Sequence, residues 1–527
     1  MKQGKAIIIG AGSAGLTAAV EIQRSSTIES SLIEVGQQAG GISRTVRHKG
    51  NHMDIGLHRF FPKSDRVVRW WLDLMPVWQG RTRPVNFSTR ASSAICLGGL
   101  ILLLAFTLAR FAYDASRLAY PANDLTTVWV SSKAFDEGKD PYNDTQEFVK
   151  IWVENRPPSA VGCTANYNCI LHNLPMGYPW TALPLLAPLT FLHWSAAVYT
   201  YLAGSTALFV AMILMLAQKL QLPWSNLKKW YMIAFGLALA PLHAGIHMSN
   251  LSTLVIGLLG MGVIFMRKRP YLSGIALAIS VCLKPQVAFL FFAYPWLRRQ
   301  WRTAFTGLAV CATIFTSSLL WMGFHNINVY RSYLGALAQF NSQDSYNSFT
   351  YPGPIRYLLI NLQVVVFQFT RSAVESNILS WLLFLILAAA SALLIRSRVS
   401  EGNEGIDIAI ISVLTLLPFY QHIYSAALLI FVIYWAFDNW QLKGAKAALL
   451  LMLPLLFPFV AMTWGYPPLA GFVERHHLGS HFFWNAFIMP YVVWIELCLV
   501  LIMLTELYGT AAISRRSLAL LYVRKAK

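Results

Sequence analysis

Asp124, Lys284 and His422 are the ionisable residues whose settings suggest chemistry. Asp124 stands in ANDLTTVWVSSKAFDEGKDPY, Lys284 in Lys284-Pro285-Gln286, and His422 in YQHIYS together with Tyr424. Each lies at the end of an apolar stretch, where an ionisable group is a functional candidate by default. A carboxylate can take a proton from a hydroxyl, and an ammonium can stabilise a phosphate. His243 and His247 close one apolar stretch and Asn250 opens the next. Plainer roles exist for each: Lys284 as a snorkelling interfacial lysine, Asn250 as a helix cap, the histidines as packed side chains. A different chemistry stands at the start of the chain. There Gly10, Gly12 and Gly15 form G-x-G-x-x-G directly after the apolar run Ala6 to Ile9. In such a βαβ turn the first glycine permits a tight turn, the second lets backbone approach a pyrophosphate, and the third lets helix and strand pack closely. Glu34 ends a second apolar run, where an acid would hold a ribose hydroxyl.

The elements that must position these residues follow from composition. The chain has 527 residues, 56% hydrophobic and only 12% charged, with 18 Trp. The mean hydropathy is +0.50. This excludes a disordered chain, a disulfide scaffold and a simple cytosolic enzyme, and indicates a polytopic α-helical membrane protein. The net charge of +19 reads as a topology signal rather than a nucleic-acid surface, because Lys and Arg gather in cytoplasmic loops.

Apolar spans begin near Ser93 and recur to about residue 506, several shorter than the ~20 residues of a free span. Placing the N-terminus inside puts the clusters Lys219, Lys228 and Lys229; Arg267, Lys268 and Arg269; Arg298, Arg299 and Arg302; Arg396 and Arg398; and Lys443 and Lys446 on the same side. The loop 114–177, with eight acids against five Lys and Arg, falls opposite. The expected architecture is about twelve spans with both termini cytoplasmic, residues 86–527, behind a truncated Rossmann-like α/β unit, residues 1–85. In this topology Asp124, His243, His247, Asn250, Lys284, Gln286, His422 and Tyr424 all fall on the outer face. Cys163 and Cys169 share the outer loop and are candidates for a disulfide. The other four cysteines are read as packing residues.

Two resemblances add to this reading. Gly40-Gly41-Ile42-Ser43-Arg44-Thr45, Asp54-Ile55-Gly56 and His58-Arg59-Phe60-Phe61 follow the glycine motif in order. Residues 5 to 75 thus resemble the start of FAD-dependent oxidoreductases of the amine oxidase and UDP-galactopyranose mutase type. The resemblance implies Glu34 on the adenosine ribose, Arg44 near the flavin, and FAD as the candidate cofactor. In those enzymes a substrate domain follows; here an apolar span does.

Residues 95 to 460 resemble glycosyltransferase family 87, polyprenol-phosphate-mannose-dependent mannosyltransferases of the GT-C fold. Asp124 with Gly138-Lys139-Asp140-Pro141-Tyr142 looks like the family's first-loop pattern. Tyr178-Pro179 is similar to its Tyr-Pro-Pro start of a helix, with Trp180 for the second proline. Ser249-Asn250-Leu251-Ser252 looks like its Gly-Gln-x-Asn/Ser element with both leading residues changed. Gly274 through Lys284-Pro285-Gln286 matches its Gly-x-x-x-Ala and Lys-Pro-Gln stretch. Tyr420 to Ser425 is similar to a late Tyr-His-x-x-Tyr-Asp turn, with Ser425 in place of Asp.

What the resemblance implies is inverting hexosyl transfer from a polyprenyl-phosphate sugar to an extracytoplasmic lipid or glycan acceptor, at a bacterial cytoplasmic membrane. Asp124 would be the base, Lys284 would meet the leaving phosphate, and His422 would position substrate or touch the phosphate. Asn250, His247, Gln286, Tyr424 and Tyr178 would line the substrate site. Neither a metal nor a cofactor is implied for the transfer. Two other classes compete: a membrane-anchored flavin oxidoreductase, and a transporter or flippase of lipid-linked sugars. The first needs a complete flavin pocket, the second matched broken helices in two halves.

Overall fold

The apolar run at the start of the chain forms β1 (Lys5–Ile9), followed by α1 (Ser13–Ser25) and β2 (Glu29–Ile33). β1 and β2 pair in parallel, with Ile7 opposite Ser31, so the helix is the crossover that a parallel pair requires. Gly10 has φ +98°, in the left-handed region that glycine occupies without strain. A Cβ on Gly15 would lie 1.8 Å from the Gly10 carbonyl oxygen. Close packing of α1 on the turn therefore depends on glycine at that position. β3 (Thr45–His48) and β4 (Asn51–Asp54) form an antiparallel pair. Ile7, Ile9 and Ile33 alternate outward from the first sheet and are exposed.

This computed structural model describes residues 5–26, 28–36, 39, 45–48, 51–54, 89–117, 123–143, 177–220, 222–340, 347–351, 354–397, 404–458 and 467–525. Arg44, His58, Cys163 and Cys169 lie outside the described residues. The chain divides into two units, Met1–Thr89 and Arg90–Lys527.

The second unit is helical. α2 (Thr89–Arg117) and α3 (Asn123–Asp136) open it, and short turns over Trp180–Phe191 lead into α4 (Trp194–Lys219). The apolar stretch 230–247 is two helices: α5 (Leu227–Ala238) and α6 (Ala240–His247). Leu239 is extended between them and Pro241 stands in the first turn of α6, where its missing N–H costs nothing. Three short helices follow: α7 (Leu251–Phe265), α8 (Pro270–Leu283) and α9 (Pro285–Leu297). Then come α10 (Trp301–Phe324), α11 (Val329–Phe340), α12 (Leu362–Thr370), α13 (Ala373–Ser397) and α14 (Gly405–Leu416). The chain closes through α15 (Ile430–Asp438), α16 (Lys443–Met452), α17 (Pro467–Arg475) and α18 (Tyr491–Lys525).

Among the described residues, five helices are long and apolar enough to cross a membrane: those holding Cys96–Asp114, Trp194–Lys219, Trp301–Phe324, Ala373–Ser397 and Tyr491–Gly509. The count of about twelve spans is therefore not reached by full-length helices. Shorter apolar helices, among them α7, α8 and α14, make up the interior. One continuous core joins α4 to α9 with α14, α15 and α18. Small residues bring backbones together within it. A Cβ on Gly274 of α8 would meet the Thr303 carbonyl oxygen at 2.7 Å and the Gly307 nitrogen of α10 at 2.9 Å, the close approach that helices packed in lipid favour.

Candidate active site

Three chain reversals in the helical unit converge. The first is the turn between α6 and α7. Ser249 there has φ +47°, and Asn250 caps α7 by accepting the Ser252 N–H at 2.8 Å. The second is the break between α8 and α9. Lys284 is non-helical there (φ −150°, ψ 81°), and Pro285 starts the next helix. The third is the turn before α15, where His422 pairs with Leu359 in an isolated β-bridge. Gly245 of α6 lets the first and third meet: a Cβ there would lie 2.7 Å from Thr253 Oγ1 and 3.5 Å from Tyr424 Cβ.

Asp124, near the start of α3, completes the cluster. Asn250 Nδ2 donates to Asp124 Oδ2 at 2.6 Å and to the Tyr178 hydroxyl at 3.2 Å. Tyr424 lies near enough to the Asp124 carboxylate to favour its charged form. Lys284 Nζ donates to Asn250 Oδ1 at 3.0 Å and to Ser252 Oγ at 2.7 Å, and Ser252 Oγ lies 3.3 Å from Ser425 Oγ. The same ammonium sits 4.7 Å from the centre of the Tyr424 ring, a cation–π contact. Lys284 and Asn250 are buried, at 4% and 1% exposure; Asp124 is half-buried. His422 stands between Tyr420 and Tyr424, with ring centres 5.1 and 5.3 Å away.

These groups lie at turns and a helix start, outside the long apolar helices, and burial acts on them in opposite directions. It raises the Asp124 carboxyl above its ordinary value, against the Asn250 hydrogen bond and the Lys284 charge. It lowers Lys284 to about 7, against the charge of Asp124. His422 is pushed down to about 3, by burial first and by the Lys284 charge second. The imidazole is therefore neutral at ordinary pH and offers one donor and one acceptor rather than a charge. The arrangement sets a carboxylate of strengthened basicity one amide away from a cation.

Of the residues singled out in the sequence, Asp124, Tyr178, Asn250 and Lys284 form one hydrogen-bonded group, and Tyr424 joins it through its ring against Lys284. His422 adjoins it through Tyr424. Gln286 meets it through backbone: its carbonyl accepts the Gln421 side-chain N–H at 2.9 Å. His247 is exposed on α6 and has no hydrogen bond into the cluster. His243 is held elsewhere, by Asp114 at 2.5 Å and the Leu237 carbonyl at 2.9 Å, so it ties α2 to α6. Sequence reasoning passed over Asn347, whose Oδ1 accepts from the Tyr420 hydroxyl at 2.6 Å, and Tyr201, whose hydroxyl donates to the Asn250 carbonyl at 2.8 Å. Neither carries a local signal, since both reach the site from distant helices or loops. The thiols of Cys282 and Cys311, read as packing residues, lie 3.9 Å apart between α8 and α10.

The glycine turn of the first unit has the features of a dinucleotide phosphate loop. Gly12 caps α1, and a Cβ there would meet nothing within 4 Å, leaving the helix N-terminus approachable. Glu34 accepts the Ala11 N–H at 2.6 Å and the Gly36 N–H at 2.9 Å. Its carboxylate is thus fixed beside the loop, at the end of β2 where an acid meets a ribose hydroxyl in dinucleotide-binding βαβ units. Gly10, Gly12, Gly15 and Glu34 fit an FAD or NAD(P) adenosine half.

Comparison with known proteins bears on both units. Residues 177–420 match Glycosyltransferase family 87, and residues 8–74 match an NAD(P)-binding Rossmann-like domain. No curated protein and no solved structure matches the chain. The matched stretch holds Tyr178, Asn250, Lys284 and Gln286. Asp124 precedes it, and His422 and Tyr424 follow within four residues of its end. The chain is thus similar to glycosyltransferase family 87, a family of membrane glycosyltransferases, over residues 177–420, and to an NAD(P)-binding Rossmann-like domain over residues 8–74.

Proposed function

We propose that the helical unit transfers a hexose, mannose-like, from a polyprenyl-phosphate donor to a lipid or glycan acceptor on the extracytoplasmic face of a bacterial cytoplasmic membrane. The observation that carries this reading is the Asp124–Asn250–Lys284 bridge. Asp124 takes the proton of an acceptor hydroxyl. The hydroxyl oxygen bonds to the anomeric carbon from the face opposite the phosphate. The bond from that carbon to the phosphate oxygen breaks, and the lipid phosphate leaves as an anion. Lys284 stabilises that anion, and the configuration inverts. His422, neutral between two tyrosines, orients a sugar hydroxyl by a single hydrogen bond. The test is transfer from a polyprenyl-phosphate hexose by purified protein. Asp124→Asn is expected to lower kcat by about 10³-fold, and full activity in that variant would remove Asp124 as the base.

A second role belongs to the Rossmann-like unit alone and is supported by the Gly10, Gly12 and Glu34 geometry. It is nucleotide binding, with FAD the candidate, without a part in sugar transfer. Purified protein with a flavin spectrum, and retained transfer in a protein beginning near residue 85, are the expected results. Absence of nucleotide binding by the full chain would sink it.

A further inference from the structure

Cys282 of α8 and Cys311 of α10 have no part in the site described above, yet they stand beside it. Their sulfurs lie 3.9 Å apart, and the Cys311 thiol also faces the Ala278 carbonyl, one turn back along α8, at 3.7 Å. Both are free thiols. In a disulfide the sulfurs are about 2.05 Å apart, so closing this pair draws them together by about 2 Å.

The two thiols differ in access. Cys282 is buried, whereas Cys311 is partly exposed on a helix long and apolar enough to cross a membrane. Leu308 and Phe315, one turn to either side of Cys311, are exposed. In a membrane that face meets hydrocarbon, so a reagent dissolved in lipid reaches Cys311 first, and oxidation follows access.

Cys282 is also coupled to the site through backbone. It stands two residues before Lys284, whose N–H donates to the Ser280 carbonyl at 2.9 Å. The Cys282 carbonyl accepts the Thr181 hydroxyl at 2.8 Å, and Thr181 follows Tyr178 by three residues. Gly274 and Gly307 already hold α8 against α10 at backbone contact, so the helices have no room to close further there. The adjustment falls on the end of α8, where the helix stops at Lys284.

We propose that Cys282 and Cys311 are a reversible oxidation site, closed to a disulfide by hydroperoxides dissolved in the membrane, and that the disulfide slows sugar transfer by pulling Lys284 away from Asn250. The first half stands on the thiol geometry; the second rests on the transferase reading above. The Cys311 sulfur attacks the outer oxygen of the hydroperoxide, and the O–O bond breaks. Cys311 becomes a sulfenic acid, and the remaining oxygen leaves with the thiol proton as an alcohol. The Cys282 sulfur then attacks the Cys311 sulfur, the S–O bond breaks, and water leaves with the second thiol proton. Two electrons pass from the sulfur pair to the peroxide. A dithiol reductant restores both thiols by exchange.

The test treats the full chain in vesicles with cumene hydroperoxide and then with dithiothreitol. Peptide mapping after alkylation is expected to show a Cys282–Cys311 link that forms with the peroxide and disappears with the dithiol. Transfer from a polyprenyl-phosphate hexose is expected to fall about tenfold or more and to recover with the dithiol. Amide hydrogen exchange should change at residues 283–288 of the linked protein. Cys311→Ala, with Cys311→Ser as the alternative should it fail to fold, should transfer at the parent rate and resist the peroxide. A missing link, unchanged exchange beside Lys284, transfer at the parent rate by linked protein, or equal peroxide sensitivity in Cys311→Ala would each overturn the proposal. A link that alters exchange beside Lys284 in a protein that transfers no sugar in either state would support the oxidation site and refute the transferase reading, so the two failures are distinguishable.

Discussion

Asp124 and Lys284 are joined through a single amide. Asn250 gives its N–H to the carboxylate at 2.6 Å and its carbonyl oxygen to the ammonium at 3.0 Å. Opposite charges in a poorly solvated site would otherwise collapse into a direct pair, which would occupy the lone pairs a base needs. The amide holds base and cation apart while satisfying both, and it caps α7 with the same oxygen.

Asn250→Ser separates these two duties. Serine is a good N-cap, so the thermal midpoint is expected to fall by only a few degrees, but its short side chain cannot span from Asp124 to Lys284. A kcat loss of about 10- to 100-fold is expected, read by donor-saturated assay beside a melting curve. Activity within about twofold of the parent would show that the bridge is incidental.

The opposite shifts of the two charged groups predict a bell-shaped pH profile. Burial raises Asp124, so its basic form is lost as pH falls toward that raised value. Burial lowers Lys284 to about 7, so its charge is lost as pH rises through neutrality. The rate constant kcat/KM should therefore decline above pH 7. Donor phosphate bound beside Lys284 should favour the ammonium and move the corresponding limb of kcat to higher pH. Lys284→Arg, always charged, should abolish the descending limb whatever its absolute rate; a limb that persists would assign the titration to another group.

Ser249 is strained where a glycine would not be. Its φ is +47° and its buried hydroxyl has no hydrogen-bond partner. Ser249→Gly should stabilise the protein by about 1 kcal/mol and leave transfer unchanged, as read by thermal unfolding and assay. A lower midpoint would mean that the hydroxyl supports the turn.

Gly15→Val places branched carbon where even a Cβ would be 1.8 Å from the Gly10 oxygen. Nucleotide binding by the first unit should be lost, while sugar transfer from a polyprenyl-phosphate donor should continue. Titration of the full chain with FAD and with NADH, alongside the transfer assay, checks both halves. A variant that loses transfer as well would show that the units work together.

By itself, the sequence determined the membrane class, the glycine turn and most members of the candidate site. Apolar runs and basic clusters report the solvent around each segment, and G-x-G-x-x-G reports a local backbone need at Gly10 and Gly15. Lys284 and Asn250 were legible because a lysine and an asparagine at the ends of apolar helices are costly enough to demand a reason. The tertiary structure decided what could not be read locally. The 230–247 stretch breaks at Leu239, because Pro241 makes a helix start as acceptable as a helix interior is costly. His243 faces Asp114 rather than the cluster, although four residues separate it from an equally unremarkable His247. Asn347 and Tyr201 enter the site from positions whose spacing announces nothing. Hydropathy and spacing are properties of a segment. Which polar atom meets which is settled only when α6, α8 and the turn before α15 pack closely enough, at Gly245, for one amide to touch two charges.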